Sequence, residues 1–337
     1  MPSAFHEPGV WKIRSPDRTN ARRHGFRRPP LTQESGCCMK AFQHQVAPLQ
    51  ELHTRAEILF AGHWRQIPSV RVRFSTLVAG GTGTGKSALT ELLATSVGSS
   101  LLRIAVPGWI PNGSNNRSVS ETVPTIARHI AANEKTILVL DEIDKVYLSS
   151  SRAGGGVPGS TDSTWLSHIR GELYEILDGR FPTGMQSITD DDDDDAPSME
   201  RLTEKLRTTV FVVGIGTFQD YFDQPPTVTI GFGGRSESPL QIDAAEVATQ
   251  LPRELSNRFH GSLVVLPELE SEQYRHMMKQ TAKSLPSWLQ PAFLAAAGNR
   301  IDQAIEVKKG ARFVEEALLD ALIATRGIAI THEPQCM

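Results

Sequence analysis

The stretch that most constrains this chain is Gly80-Gly81-Thr82-Gly83-Thr84-Gly85-Lys86-Ser87, which fits G-x4-G-K-[ST]. It follows a short apolar run, Phe74–Ala79, and opens a segment in which Leu89, Leu92, Leu93 and Val97 recur at helical spacing. Strand, glycine-rich turn and helix in that order separate a phosphate-binding loop from a chance run of glycines. The glycines let backbone N–H groups turn inward onto phosphate oxygens, and the helix N-terminus adds its positive end. Lys86 is expected to reach the β and γ phosphates and Ser87 to ligate Mg²⁺, with Ala88 completing the nucleotide-binding run.

The chain around this loop alternates strand and helix. Leu101–Val106, Thr136–Leu140, Thr208–Val213 and Ser262–Leu266 read as further strands, and Ser87–Val97, Val119–Ala132 and Trp165–Leu177 as helices. Thr136–Leu140 is continuously apolar, as a buried parallel strand should be. The pattern predicts an α/β fold: a five-stranded parallel sheet sandwiched by helices. After Pro267 the strand signals stop, and Glu272–Ala282, Leu289–Ala297 and Arg312–Thr325 predict a small all-helical domain. The expected division is therefore a basic disordered tail over 1–40, an α/β domain over 41–267 and a helical domain over 268–337. The tail is rich in Pro and Arg, and a more helix-like stretch begins at Met39.

The third strand runs into Asp141-Glu142-Ile143-Asp144-Lys145. Ligands of open parallel sheets bind at the carboxyl ends of the strands, so acids there have a reason to be present. Asp141 is expected to hold Mg²⁺, and Glu142 to orient and deprotonate an attacking water. Loop and acids together predict hydrolysis rather than binding alone.

Composition adds exclusions. The 337 residues carry a net charge of -3, which points to no polyanion partner. Three cysteines, Cys37, Cys38 and Cys336, lack metal-knuckle spacing and fit a reducing compartment. No apolar run approaches the length of a membrane span and no secretory signal is apparent, so a cytoplasmic protein is expected. Asp190–Asp195, a run of six aspartates, reads as a solvated loop without chemistry.

Taken together, the P-loop, the Asp-Glu-Ile-Asp-Lys element, the five strands and the helical C-terminal piece resemble an AAA+ ATPase. The resemblance covers about Val70 to Thr325, and is narrower to the ClpX/HslU branch of protein unfoldases, without their N-terminal zinc-binding domain. It implies that the helical piece is a lid and that the fourth strand ends in a polar sensor near the γ-phosphate, here Thr217, whose hydroxyl would hold the attacking water; a threonine of a strand-end turn is the alternative. It implies an arginine finger before the fifth strand, acting in trans across a ring, usually a hexamer. Arg258 takes that place, with Arg253 as runner-up. Gly310-Ala311-Arg312 looks like the family's second sensor, with Arg312 leaning from the lid onto nucleotide.

The same resemblance makes Trp109 and Ile110 candidates for gripping polypeptide on a pore loop, although Pro111 replaces the usual glycine; Trp109 as a core residue is the alternative. It also makes Ile230-Gly231-Phe232, an apolar tripeptide among glycines, a candidate for docking a partner peptidase; an internal turn packing Phe232 is the alternative. The function it implies is an ATP-driven ring that remodels or unfolds a protein substrate. An ATPase switch within a larger complex, of the mobile-element or defence type, is the rival. A nucleic-acid motor has only the Arg-rich tail in its favour.

Overall fold

Continuous apolar strands need cover on both faces, and the computed structural model shows how the chain supplies it. Residues 41–66, 72–109, 119–146, 161–187, 197–218, 253–259 and 262–329 are described. They lie in the compact unit Met39–Met337. Strands β1 (Ser75–Ala79), β2 (Ser100–Ala105), β3 (Thr136–Asp141), β4 (Val210–Gly216) and β5 (Leu263–Val265) form one sheet in the order β2-β3-β4-β1-β5. Every pairing in it is parallel, with Leu138 beside Val212 and Thr76 beside Val213.

Side chains alternate between the two faces of a strand, and the core divides accordingly. Leu138 and Leu140 of β3 and Val210 and Val212 of β4 join one apolar cluster. Ile137 and Val139, with Phe211, Val213 and Ile215, join the other. The first cluster is closed by α3 (Thr122–Ala132), α4 (Thr161–Leu177) and α5 (Met199–Thr208). The second is closed by α1 (Val46–Ala61) and α2 (Lys86–Val97). In α1 the buried residues Leu52, Ala56 and Leu59 keep helical spacing, and Gly62 ends the helix in a left-handed conformation with φ 71°. A short helix, α6 (Arg253–Arg258), precedes β5.

Three of these elements were not assigned from sequence, the short helix α6 among them. Helix α1 lies in the stretch recognised only as helix-like. Helix α5 is dominated by charged residues and buries only Leu202 and Leu206 among its apolar side chains, and Ser198 caps it by accepting from the Arg201 N–H. The fourth strand runs on past Val213 through Gly214 and Gly216.

After β5 come α7 (Ser271–Ser284), α8 (Gln290–Glu306) and α9 (Arg312–Ala329). They share an apolar core that includes Tyr274, Phe293, Ala297, Phe313 and Ala317. No helix among the described residues is long and apolar enough to cross a membrane.

The expectation that Trp109 grips polypeptide is corrected. Trp109 is fully buried, in the cluster covered by α3 and α4. Its indole N–H donates to Glu172 Oε2 at 2.6 Å. Glu172, buried on α4, also accepts from the Ser120 N–H at 2.8 Å and from the Ser120 hydroxyl. A wide apolar ring whose only polar atom finds a buried partner has every reason to face inward. Glu172 thereby joins the residue that precedes segment 110–118 to one that closely follows it. A core tryptophan and a gripping tryptophan respond differently to truncation. Trp109→Ala is expected to lower stability by about 3–5 kcal/mol in urea unfolding; a solvent-facing tryptophan would change it by no more than about 0.5 kcal/mol.

Candidate functional site

Strand order decides which loops meet. β4 lies between β1 and β3, so the carboxyl ends of these three neighbours bring Gly80–Lys86, Asp141–Glu142 and Thr217 to one edge of the sheet.

In the P-loop the carbonyls are held by the rest of the molecule. Lys86 Nζ donates to Gly80 O at 2.6 Å and to Gly81 O at 2.8 Å. The Ala311 N–H reaches Gly83 O at 2.7 Å. A ring N–H of His44 donates to Thr84 O, and Gln45 Nε2 to Gly85 O, each at 3.0 Å. The N–H groups of Thr82, Gly83 and Gly85 have no hydrogen-bond partner among the described residues. Unpaired amides at the start of α2 form an anion cradle. His44 and Gln45, in a short turn before α1, were not singled out from sequence, since nothing in their spacing announces a contact forty residues away. Burial pushes the His44 pKa below the ordinary imidazole value, against the opposing bond to Thr84.

Lys86 is the electrostatic centre. Burial lowers its pKa to about 8, opposed by Asp144 and Asp141 and reinforced by Arg312. Asp141 Oδ1 accepts from the Glu142 N–H at 2.9 Å. The Glu142 carboxylate is paired with Lys145. Ser87 and Asp141 together offer a hydroxyl and a carboxylate, hard oxygen donors of the type Mg²⁺ takes alongside phosphate and water. The donor set therefore fits that ion.

Thr217 stands at the end of β4, half-buried, and its hydroxyl donates to Asp144 Oδ2 at 2.9 Å. Its position in the Asp-Glu-Ile-Asp-Lys element gives Asp144 no role of its own in the sequence. In the fold it is 2% exposed and joins the turn after β3 to the turn after β4.

The helical segment α7–α9 reaches this edge through its backbone. Gly83 and Gly310 both have positive φ, 79° and 68°. A Cβ on either would collide with the other's loop: Gly83 with Lys309 O, Gly310 with Gly83 O. The sites need glycine both for conformation and for approach. Tyr274 Oη accepts from the Gly310 N–H at 2.8 Å. Beside this contact lies a cavity of about 220 Å³ lined by Gly81, Thr82, Thr84, Glu268, Leu269, Tyr274, Glu306, Val307, Lys308 and Gly310. Arg312, at the start of α9, is exposed, and it acts electrostatically on Lys86.

Arg258 lies elsewhere. Its carbonyl accepts from Ser75 Oγ at 2.6 Å, at the amino end of β1. Its guanidinium stacks on Tyr174, 4.1 Å from the ring centre, and meets Asp178 at 3.3 Å. It therefore does not join the P-loop of its own chain. Arg253 begins the same short helix and is exposed. A larger cavity, about 430 Å³, also lies at the amino ends of the strands. Arg65 and Arg207 on its wall donate to Thr208 O and Gly179 O, which caps the ends of α5 and α4. Ile110, Ile230-Gly231-Phe232, Asp190–Asp195 and the tail 1–40 lie outside the described residues.

Comparison with known families agrees with this geometry. Residues 76–227 match the family model described as ATPase family associated with various cellular activities (AAA). The match supports an ATPase of the AAA+ class, and with it nucleotide binding. No curated protein matches the chain.

Two outcomes are expected of the site. Gly310→Ala should separate the helical segment from the P-loop and weaken nucleotide binding in titration calorimetry by about tenfold or more, since a backbone collision costs over about 1 kcal/mol. Lys86 is charged below its pKa of about 8 and neutral above it. Nucleotide binding above that pH should therefore take up a proton and weaken by up to about tenfold per pH unit. Calorimetry in buffers of different ionisation enthalpy would register that uptake, and would register little at pH 7.

Proposed function

We propose that this chain, whose sheet carries an AAA-type ATPase domain, hydrolyses ATP as a ring-forming remodeller of a protein substrate, of the kind seen in the ClpX/HslU branch. One observation carries the reading: Lys86, Asp141, Glu142 and Thr217 meet at the carboxyl edge of β1, β3 and β4, with the helical segment's backbone bonded directly to the P-loop.

Each residue at this edge has a role in this reading. The P-loop amides and Lys86 hold the phosphate chain. Ser87 and Asp141 would hold Mg²⁺, which would supply charge neutralisation at the phosphates. Glu142 takes the proton of the attacking water, which requires it to leave Lys145. The bond between Ala311 N–H and Gly83 O gives the helical segment a direct mechanical link to the loop that holds the phosphates. Arg258, at the amino end of β1 in its own chain, suits a role at a neighbour's site. This favours a ring, with a hexamer as the expected form. A peptidase partner through Ile230-Gly231-Phe232 belongs to the same proposal.

A second reading has its own support. Burial of Trp109 removes the aromatic side chain that the threading mechanism would use. That favours an ATPase switch acting in a larger complex through a fixed face.

Glu142→Gln tests both. The variant is expected to bind ATP, to lose most hydrolysis, and to form a multi-subunit ring with ATP by light scattering; undiminished turnover would remove Glu142 from catalysis. Affinity capture of ATP-loaded Glu142→Gln from its native extract then separates the readings. Unfolded or tagged substrates, or a peptidase lost on Phe232→Ala, support the remodeller. A fixed stoichiometric partner supports the switch.

A further inference from the structure

Asp144 is a buried carboxylate at the same edge of the sheet as Lys86 and Thr217. It is 2% exposed, two residues beyond Glu142. One oxygen, Oδ2, accepts three hydrogen bonds: from the Thr217 N–H at 3.1 Å, the Phe218 N–H at 3.0 Å and the Thr217 hydroxyl at 2.9 Å. Its other oxygen, Oδ1, is buried and has no partner among the described residues. Its charge acts on Lys86, and three hydrogen bonds tie it to the turn after β4.

The backbone around it is strained on both sides. Glu142 has φ 57° and Phe218 has φ 46°, left-handed values that non-glycine residues rarely adopt. Such values persist where surrounding contacts over-determine them, and they cluster at functional sites. Here the contacts can be named. The Ile143 N–H donates to Ile215 O at 2.9 Å, and Asp144 binds the two successive amides after β4. The Phe218 ring folds back over Gly216, where a Cβ would meet it. The turn that carries Glu142 and the turn that carries Thr217 are therefore one fixed unit.

A threonine hydroxyl has one hydrogen and two lone pairs. Thr217 gives its hydrogen to Asp144, so it faces the site with lone pairs only. A phosphate oxygen without a hydrogen cannot bond to such a group, but a water can. We infer that Asp144 is a positioning residue that turns Thr217 into a hydrogen-bond acceptor for the attacking water, holding that water at a fixed distance from Glu142. The water places one hydrogen on Thr217 Oγ1 and yields the other as a proton to Glu142. Its oxygen forms the new bond to the γ-phosphorus while the bond to the β–γ bridging oxygen breaks, and that electron pair leaves with ADP. Thr217 reads the nucleophile, not the phosphate. This inference rests on the reading of the edge as an ATP-hydrolysing site.

The test is a cycle of Thr217→Val, Asp144→Asn and the double variant, with Thr217→Ser as control, measured by steady-state ATP hydrolysis of the full chain. Thr217→Val is expected to lower kcat about tenfold or more with KM changed less than about twofold, the sign of an interaction with the reacting water rather than with bound nucleotide. Thr217→Ser keeps the hydroxyl and should stay near the parent rate. Asp144→Asn should lower kcat similarly, and the double variant should be no slower than Thr217→Val, because one residue acts through the other. Additive losses, a rise in KM for Thr217→Val, or an Asp144→Asn variant within about twofold of the parent kcat would overturn the inference. If Asp144→Asn does not fold, the Val–Ser comparison at Thr217 still decides: equal losses in both exclude the acceptor role. Failure of the underlying reading looks different, since Glu142→Gln would then hydrolyse ATP at the parent rate.

Discussion

The P-loop carbonyls are the point on which the rest of the architecture hangs. A glycine-rich loop can present either its carbonyls or its amides to a ligand, and an anion needs the amides. Here the choice is enforced from outside. His44 and Gln45 take the Thr84 and Gly85 carbonyls from the amino-terminal side, Ala311 takes that of Gly83 from the helical segment, and Lys86 folds onto Gly80 and Gly81. Three separate parts of the chain thus define one loop conformation. The same bonds tie the helical segment to the P-loop: the backbones of Gly83 and Gly310 meet so closely that neither position tolerates a side chain.

Two buried carboxylates do comparable work away from the phosphates. Asp144 joins the ends of β3 and β4, and Glu172 joins Trp109 to Ser120 from α4. Buried charged groups persist when hydrogen bonds satisfy them. Glu172 has donors on both of its oxygens, whereas Asp144 has one oxygen without a partner among the described residues.

Much of this was legible in the sequence. The P-loop could be read because its chemistry is local: spacing, a preceding strand and a following helix are all within about twenty residues. The continuous apolar runs of β3 and β4 marked buried parallel strands for the same reason. Helix α5 was missed because its charged residues hide a two-leucine contact stripe, and β4 was cut short because Gly214 and Gly216 carry no strand signal. Trp109 was open to two readings, since nothing in Pro-Gly-Trp-Ile-Pro reveals that a glutamate sixty-three residues away offers its indole a buried partner.

The sequence by itself determined the P-loop between β1 and α2, the acids at the end of β3, the five strands and the change to an all-helical segment after them. Each is written in residue types and spacings that act over one or two turns of chain. The tertiary structure alone decided that β4 enters the sheet between β1 and β3, that Arg258 faces away from its own P-loop, that Trp109 is core, and that Asp144 holds Thr217. These depend on pairings between segments tens to hundreds of residues apart. Such pairings are chosen by which faces can be buried together, and no local pattern encodes them.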